Sequence, residues 1–408
     1  MNVYGKIDEK QEESHYQDWS APEKREGVPI PFFSIMLWSL VATAISVVLP
    51  FIFGLVSPQQ TQDLYTGWAL HQNGQMYTDY FGTEGLLYYV LTYLFQGSIL
   101  IALVEWLALF GAGVFLFKTA DTLVGQEKEA KRLVFILYLL VAGLAFGGGY
   151  ALLLALPFLF YSLSVVTNYL AYPNDDKGFV RVGMSLALAF FLAPIPTALF
   201  AAVLALGIIG FNLGKGHFVH GLYQFFASAL GFSLLFYPLG YYTVLTGSFG
   251  DAISQTLYPV NTLSLFSNSH LLENAAFYGL LAIGLGSLGL LFTGLFQSKP
   301  AKQYALSIAA SLGLLVSLGI LILSNEPVNG TRLVILLPFL ILLLLTGIKE
   351  TASEGGSRRR RREKKASFIK GNFYLPLIAL AYLIALPILS RYLSHPTTYQ
   401  ERERLASL

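Results

Sequence analysis

Phe32-Phe33-Ser34-Ile35-Met36-Leu37-Trp38-Ser39-Leu40-Val41-Ala42-Thr43-Ala44-Ile45-Ser46-Val47-Val48-Leu49-Pro50-Phe51-Ile52-Phe53-Gly54-Leu55-Val56 runs for 25 residues without a charge. Roughly twenty apolar residues in a helix cross the hydrocarbon core of a bilayer. Ten further apolar runs follow, near 86–117, 132–147, 149–170, 179–194, 196–213, 218–243, 274–297, 303–324, 332–348 and 373–391. The sequence thus predicts an all-α, polytopic membrane protein with about eleven transmembrane helices. Composition agrees: 55% of the 408 residues are hydrophobic and 12% are charged, against about a quarter charged in soluble proteins. No cysteine is present, which excludes disulfide frameworks, thiolate metal sites and cysteine nucleophiles.

Residues 1–31 are polar and rich in both signs of charge, the composition of a disordered tail. The first apolar run is too long for a signal-peptide core and reads as an uncleaved membrane helix. The run 86–117 exceeds one crossing and is expected to divide near Gln96-Gly97-Ser98 into a short interfacial helix and a true span. Pro194 and Pro196 forbid a continuous helix between the fifth and sixth runs.

Basic residues set the orientation. With the N-terminus in the cytoplasm, 22 of the 26 Lys and Arg fall in cytoplasmic segments, including the loop 349–372 with Arg358 to Arg362. Only Arg332, Arg391, Arg402 and Arg404 lie outside. The expected location is the plasma membrane, with the tail 392–408 outside. Two long outer loops result, 57–85 and 247–274. Anionic lipid and topology account for the polybasic loop, so no nucleic-acid partner is expected. No Gly-Lys-Ser/Thr phosphate loop occurs, which disfavours an ATP-driven pump and a nucleotide cofactor.

Ser57 to Gly74 reads as a short helix, with Thr61 as N-cap and Asn73-Gly74 as the stop. Leu64, Trp68 and His71 share one face suited to a membrane interface. Asp63 would fall in the first turn, where the helix dipole favours a carboxylate; helix-start chemistry and a functional role are equal readings.

The following stretch, Gln75-Met76-Tyr77-Thr78-Asp79-Tyr80-Phe81-Gly82-Thr83-Glu84-Gly85-Leu86-Leu87-Tyr88-Tyr89, resembles the GT-C glycosyltransferases, most nearly the mannosyltransferase-like (PMT-type) enzymes that use polyprenyl-phosphate sugars. Pro194 and Pro196, Gly247-Ser248-Phe249-Gly250-Asp251, and Arg332 followed by Leu333 to Pro338 extend the likeness over most of 32–350. The resemblance implies a membrane lipid setting, a lipid-linked sugar donor, and an envelope polymer or glycolipid acceptor on the outer face. It also implies Asp63 as general base or metal ligand, and Arg332 as the partner of the donor phosphate. His71, Asp79, Glu84 and Asp251 become candidate substrate or metal contacts. For Arg332, an interfacial anchor or an ion pair with Glu326 is an equal reading.

The family's acidic pair after the third span is missing. Phe146-Gly147-Gly148-Gly149-Tyr150-Ala151-Leu152-Leu153-Leu154-Ala155-Leu156-Pro157-Phe158 keeps the glycines and the Ala-Leu-Pro-Phe without a carboxylate. A hard divalent cation prefers several carboxylate oxygens. Either acids from elsewhere replace the pair, or the chemistry uses no metal, or catalysis is lost. The glycines read first as a tight turn between packed helices.

Glu105 lies inside the second span, a costly place that makes function the default reading, beside a protonated, interhelical one. His217 and His220 lack companion ligands for a metal. Tyr258, Phe266, His270, Asn261, Asn268 and Asn274 suit either a sugar or an aromatic belt. Asn329-Gly330-Thr331 fits a glycosylation sequon that only a secretory context would use. Three functions stand in order: an outer-face sugar transferase, a catalytically inactive GT-C-like partner or scaffold in envelope synthesis, and a lipid or solute transporter. The absence of an internal repeat weakens the last.

Overall fold

A computed structural model describes residues 27–348 except 54–57, 97, 149–150, 174, 176, 285, 297–300, 327 and 329. The eleventh expected span, the polybasic loop, most of the N-terminal tail and the C-terminal tail lie outside the described residues. The described part is all-helical.

Helix α1 covers Phe32–Ile52 and widens into a π-helical turn at Ala44–Val48, just before Pro50. Proline has no N–H to offer the carbonyl four residues back. That carbonyl, Ser46 O, instead accepts a bond of 2.9 Å from Gly147 N. Helices α2 (Pro58–His71) and α3 (Leu86–Leu94) follow and pack on each other. Then come α4 (Ile101–Val124), α5 (Glu127–Leu144), α6 (Ala151–Ala171), α7 (Phe179–Phe190), α8 (Pro194–Gly214) and α9 (Phe218–Leu245). Short helices α10 (Phe249–Thr256) and α11 (Tyr258–Asn261) lead to α12 (Leu271–Gly284), α13 (Ser287–Phe296) and α14 (Ala301–Leu323). A 3-10 turn, Gly330–Leu336, enters α15 (Leu337–Gly347).

The expected division of 86–117 is present, between α3 and α4, with Gln96 at a φ of 50°. The break between α7 and α8 falls at 191–193, before both prolines. Gly147 and Gly148, at φ 105° and 68°, make the tight turn from α5 to α6; a side chain would be strained there. That is the turn reading of the glycine cluster.

Among the described residues six helices, α1, α4, α6, α8, α9 and α14, are long and apolar enough to cross a membrane. The pair α12–α13, bent by 69°, makes a seventh if it is one broken span. Two of the remaining expected spans are shorter: α7, and the segment Arg332–Gly347. The run 132–147 belongs to α5, whose first turn carries Glu127 and Glu129. This is a multi-helix membrane protein.

The core lies where α4 packs on α6, α6 on α7, and α8 on α14, with α15 filling between α14 and α5. At the rim, α7 and α9 touch backbone to backbone. A Cβ on Gly183 would collide with the Ser228 carbonyl, and one on Gly231 with the Val180 carbonyl. Small residues allow such close approach where lipid supplies no hydrophobic drive between helices.

Candidate functional site

The described helices gather their longest connections at one end. Gly85 N bonds to Leu192 O at 3.0 Å and Leu87 N to Phe191 O at 2.8 Å, so the start of α3 sits on the α7–α8 break. Gln75 Nε2 donates to Thr246 O at 2.8 Å. Gln255, on α10, donates through Nε2 to Tyr77 O at 2.7 Å and accepts from Gly82 N at 2.9 Å through Oε1. Ser264 N bonds to Leu323 O at 3.1 Å. The two long loops are therefore one layer, joined by the carboxamides of Gln75 and Gln255. Sequence reasoning missed Gln255, because no local pattern shows a side chain meeting two backbone groups over 170 residues away.

Helix α2 begins at Pro58, not after Thr61. Proline is favoured in a first turn because its missing N–H would have no partner there. Asp63 consequently sits in the second turn, beyond the reach of the helix-start effect, and the first-turn reading is corrected. Its side chain, like that of Leu64, lies outside the described residues. Trp68 and His71 are exposed, with the His71 ring 5.5 Å from that of Tyr93. The helix stops at His71 and Asn73 turns the chain at φ 72°.

The other candidate acids occupy separate settings. Asp79 is exposed and its Oδ2 accepts Gln75 N at 2.7 Å, closing its own turn. Asp251 is exposed in the first turn of α10. Glu84 is the unusual one. Its main-chain oxygen accepts the Tyr77 hydroxyl at 2.9 Å, and its N–H donates to the Tyr89 hydroxyl at 3.3 Å. Burial pushes its carboxyl from near 4.5 up to about 7, and the same burial, with Glu84 beside it, raises the Tyr77 phenol. Tyr77 itself is buried at φ 67°, a region that non-glycine residues rarely adopt.

Arg332 lies in the 3-10 turn that enters α15 and forms an ion pair with Glu326, while its Nη1 donates to Ser324 Oγ at 3.1 Å. The ion pair with Glu326 that the sequence suggested is present. Asn274 is fully buried beside them, its Nδ2 donating to Ser324 O at 2.9 Å and Glu326 O at 3.1 Å. Asn268 bonds to the Leu323 and Ser324 carbonyls, both at 3.0 Å. These two asparagines are occupied in holding the 323–326 turn. Phe266 is 99% exposed, and Tyr258 meets Phe81 edge to face at 5.5 Å.

Glu105 lies in the second turn of α4 and is fully buried. His220 lies against Tyr169 in the wall between α6 and α9, a packing role. Among the described residues, no three His, Asp or Glu side chains converge closely enough to hold a metal ion. The chemistry this end offers is hydrogen bonding from loop backbones, exposed aromatic faces, and a half-buried acid that titrates near neutrality.

No curated protein and no solved structure matches the chain. Residues 23–395 match the family described as the competence-induced protein Ccs4 N-terminal domain. With nearly the whole chain inside that match, from the entry to α1 to beyond α15, the protein belongs to the Ccs4 N-terminal domain family.

Proposed function

We propose that the chain is a GT-C-like membrane protein without a transfer centre of its own, serving as a partner or scaffold in envelope synthesis. The observation that carries this reading is the state of Arg332. Its guanidinium is already engaged by Glu326 and Ser324, and an arginine committed to a carboxylate is a poor receptor for a second anion. The separate settings of Asp79, Glu84 and Asp251 point the same way. The knitted loop layer is then a docking face, with Phe266, Trp68 and Phe81 offering exposed rings. The Lys and Arg distribution supports an orientation with this face outside and the N-terminus in the cytoplasm. The family description also leads us to expect a rise in the protein's level with competence.

A second reading keeps sugar transfer from a polyprenyl-phosphate donor, with Asp63 as base. It is favoured by the way α2, the helix that carries Asp63, joins the layer through α3. Replacing Asp63 with Asn, and measuring envelope glycan composition beside protein level, separates the two. A scaffold leaves the glycan unchanged. Loss of product with the protein still present would overturn the proposal and establish transfer. A transporter would respond to Glu105→Gln instead.

A further inference from the structure

A hollow of about 330 Å³ opens on the flank of the helical body, between α4, α6, α7 and α9. Phe115, Pro157, Tyr161, Met184 and Leu188 wall it, and Arg181 stands in its lining. The walls are apolar because each helix turns its lipid-compatible side chains outward here.

Arg181 lines the hollow, and Lys118 lies against the ring of Phe115, another of its walls. Phe115 meets Tyr161 edge to face at 5.3 Å, and the Lys118 ammonium lies 5.8 Å from the centre of the Phe115 ring. Val182 O is 3.5 Å from Ser162 Oγ, so Arg181, one residue earlier on α7, falls at the level of α6 just beyond Tyr161. On α4, Lys118 is one turn beyond Phe115 and reaches that same level. Arg181 is exposed. Among the described residues neither cation lies within ion-pair distance of a carboxylate. The nearest acid on α4, Asp121, accepts Val28 N at 3.0 Å. Two cations that have no carboxylate partner among the described residues, beside an apolar recess, complement an acyl chain that carries a phosphate.

We propose that this hollow binds an anionic diacyl phospholipid, one acyl chain lying against Phe115, Pro157 and Leu188 and the headgroup phosphate bridging Arg181 and Lys118. An arginine fork suits a phosphate oxygen pair, and the ammonium adds a point charge. Arg181 lies in the first turn of α7, at the opposite end of that helix from the break that holds α3, and the proposal does not depend on how the knitted loops function.

The test uses the full chain, purified and reconstituted in nanodiscs with equal phosphatidylglycerol and phosphatidylcholine, with retained lipid counted by native mass spectrometry. Wild type should retain phosphatidylglycerol in preference to phosphatidylcholine. Removing each cation, in Arg181→Gln and Lys118→Gln, should weaken that retention about fivefold. Arg181→Lys should keep most of it. Leu188→Trp, which fills the recess, should lower retention of both lipids while both cations remain. Melting curves of each variant identify any that fail to fold, and the lipid preference of the folded ones decides. Equal retention of the two lipids by wild type would overturn the proposal, as would undiminished phosphatidylglycerol in the double glutamine variant. A photo-cross-linker at position 188 that captures a polypeptide rather than lipid would assign the hollow to a partner helix and overturn it as well.

Discussion

Helices α6 and α9 look alike as sequences. Both are long and apolar, and each holds one internal proline, Pro157 or Pro238. Yet 67% of the most apolar window of α6 is buried and only 11% of that of α9. Hydropathy does not rank them: α1 is more apolar than α6 yet less enclosed. In a bilayer an apolar side chain gains nothing by leaving lipid for protein, so shape and hydrogen bonds choose the neighbours. Around α6 that choice includes Ser185 Oγ, which donates to Phe158 O across the helix pair at 2.9 Å. Around α9 it is a narrow seam at Gly183 and Gly231. The rest of α9 presents Tyr223, Phe226, Tyr237 and Leu245 to its surroundings.

The most severe way to break this contrast is at the seam. Gly183→Leu or Gly231→Leu must separate two backbones in contact, and we expect a loss of more than about 4 kcal/mol and little monodisperse protein. Wild-type yield and melting would mean that α7 and α9 are not in close contact. Next comes a matched pair. Leu153→Ala, fully buried in the first turn of α6, should cost about 2–5 kcal/mol through the cavity it leaves. Leu234→Ala, on the open side of α9, should change stability by no more than about 0.5 kcal/mol. Equal effects would erase the distinction between the helices.

Smaller effects belong to the loop layer. Gln255→Leu leaves Tyr77 O and Gly82 N without their shared partner, at a cost of about 1–3 kcal/mol. Faster limited proteolysis within 72–85 would report it, and an unchanged cleavage rate would show that the loops hold together by other means. The smallest effect is the titration of Glu84. Its folded-state pKa, about 7, lies above the ordinary value near 4.5. The folded state therefore keeps the proton longer, and stability present below pH 4.5 is lost as pH rises toward 7. A shift of that size corresponds to about 3 kcal/mol for a fully enclosed group, and the partial exposure of Glu84 reduces the change to on the order of 1 kcal/mol. Glu84→Gln should flatten the melting temperature between pH 4.5 and 7.5, and a variant whose profile still falls like wild type would place the titrating group elsewhere.

Much of the chain's punctuation was legible. Proline and glycine act through their own backbones, so the break before Pro194, the turn at Gly147 and Gly148, and the stop after His71 could be read locally. The Arg332–Glu326 pair was also within reach, because the two residues are close in sequence and carry opposite charges. The start of α2 was misread because Thr61 is as plausible a cap as Pro58 is a first residue. The acids after Gln75 could be named but not grouped, since grouping depends on chain folding between residues far apart.

The sequence by itself determined the solvent in which this chain lives and where its helices must stop, because hydrophobic length and the backbone chemistry of proline and glycine are local properties. Tertiary structure alone decided which apolar helix is enclosed, that Gln255 joins two distant loops, and that Arg181 lines an apolar recess. Those outcomes follow from the fit of surfaces brought together over long separations, and apolar helices of similar composition give no advance sign of that fit.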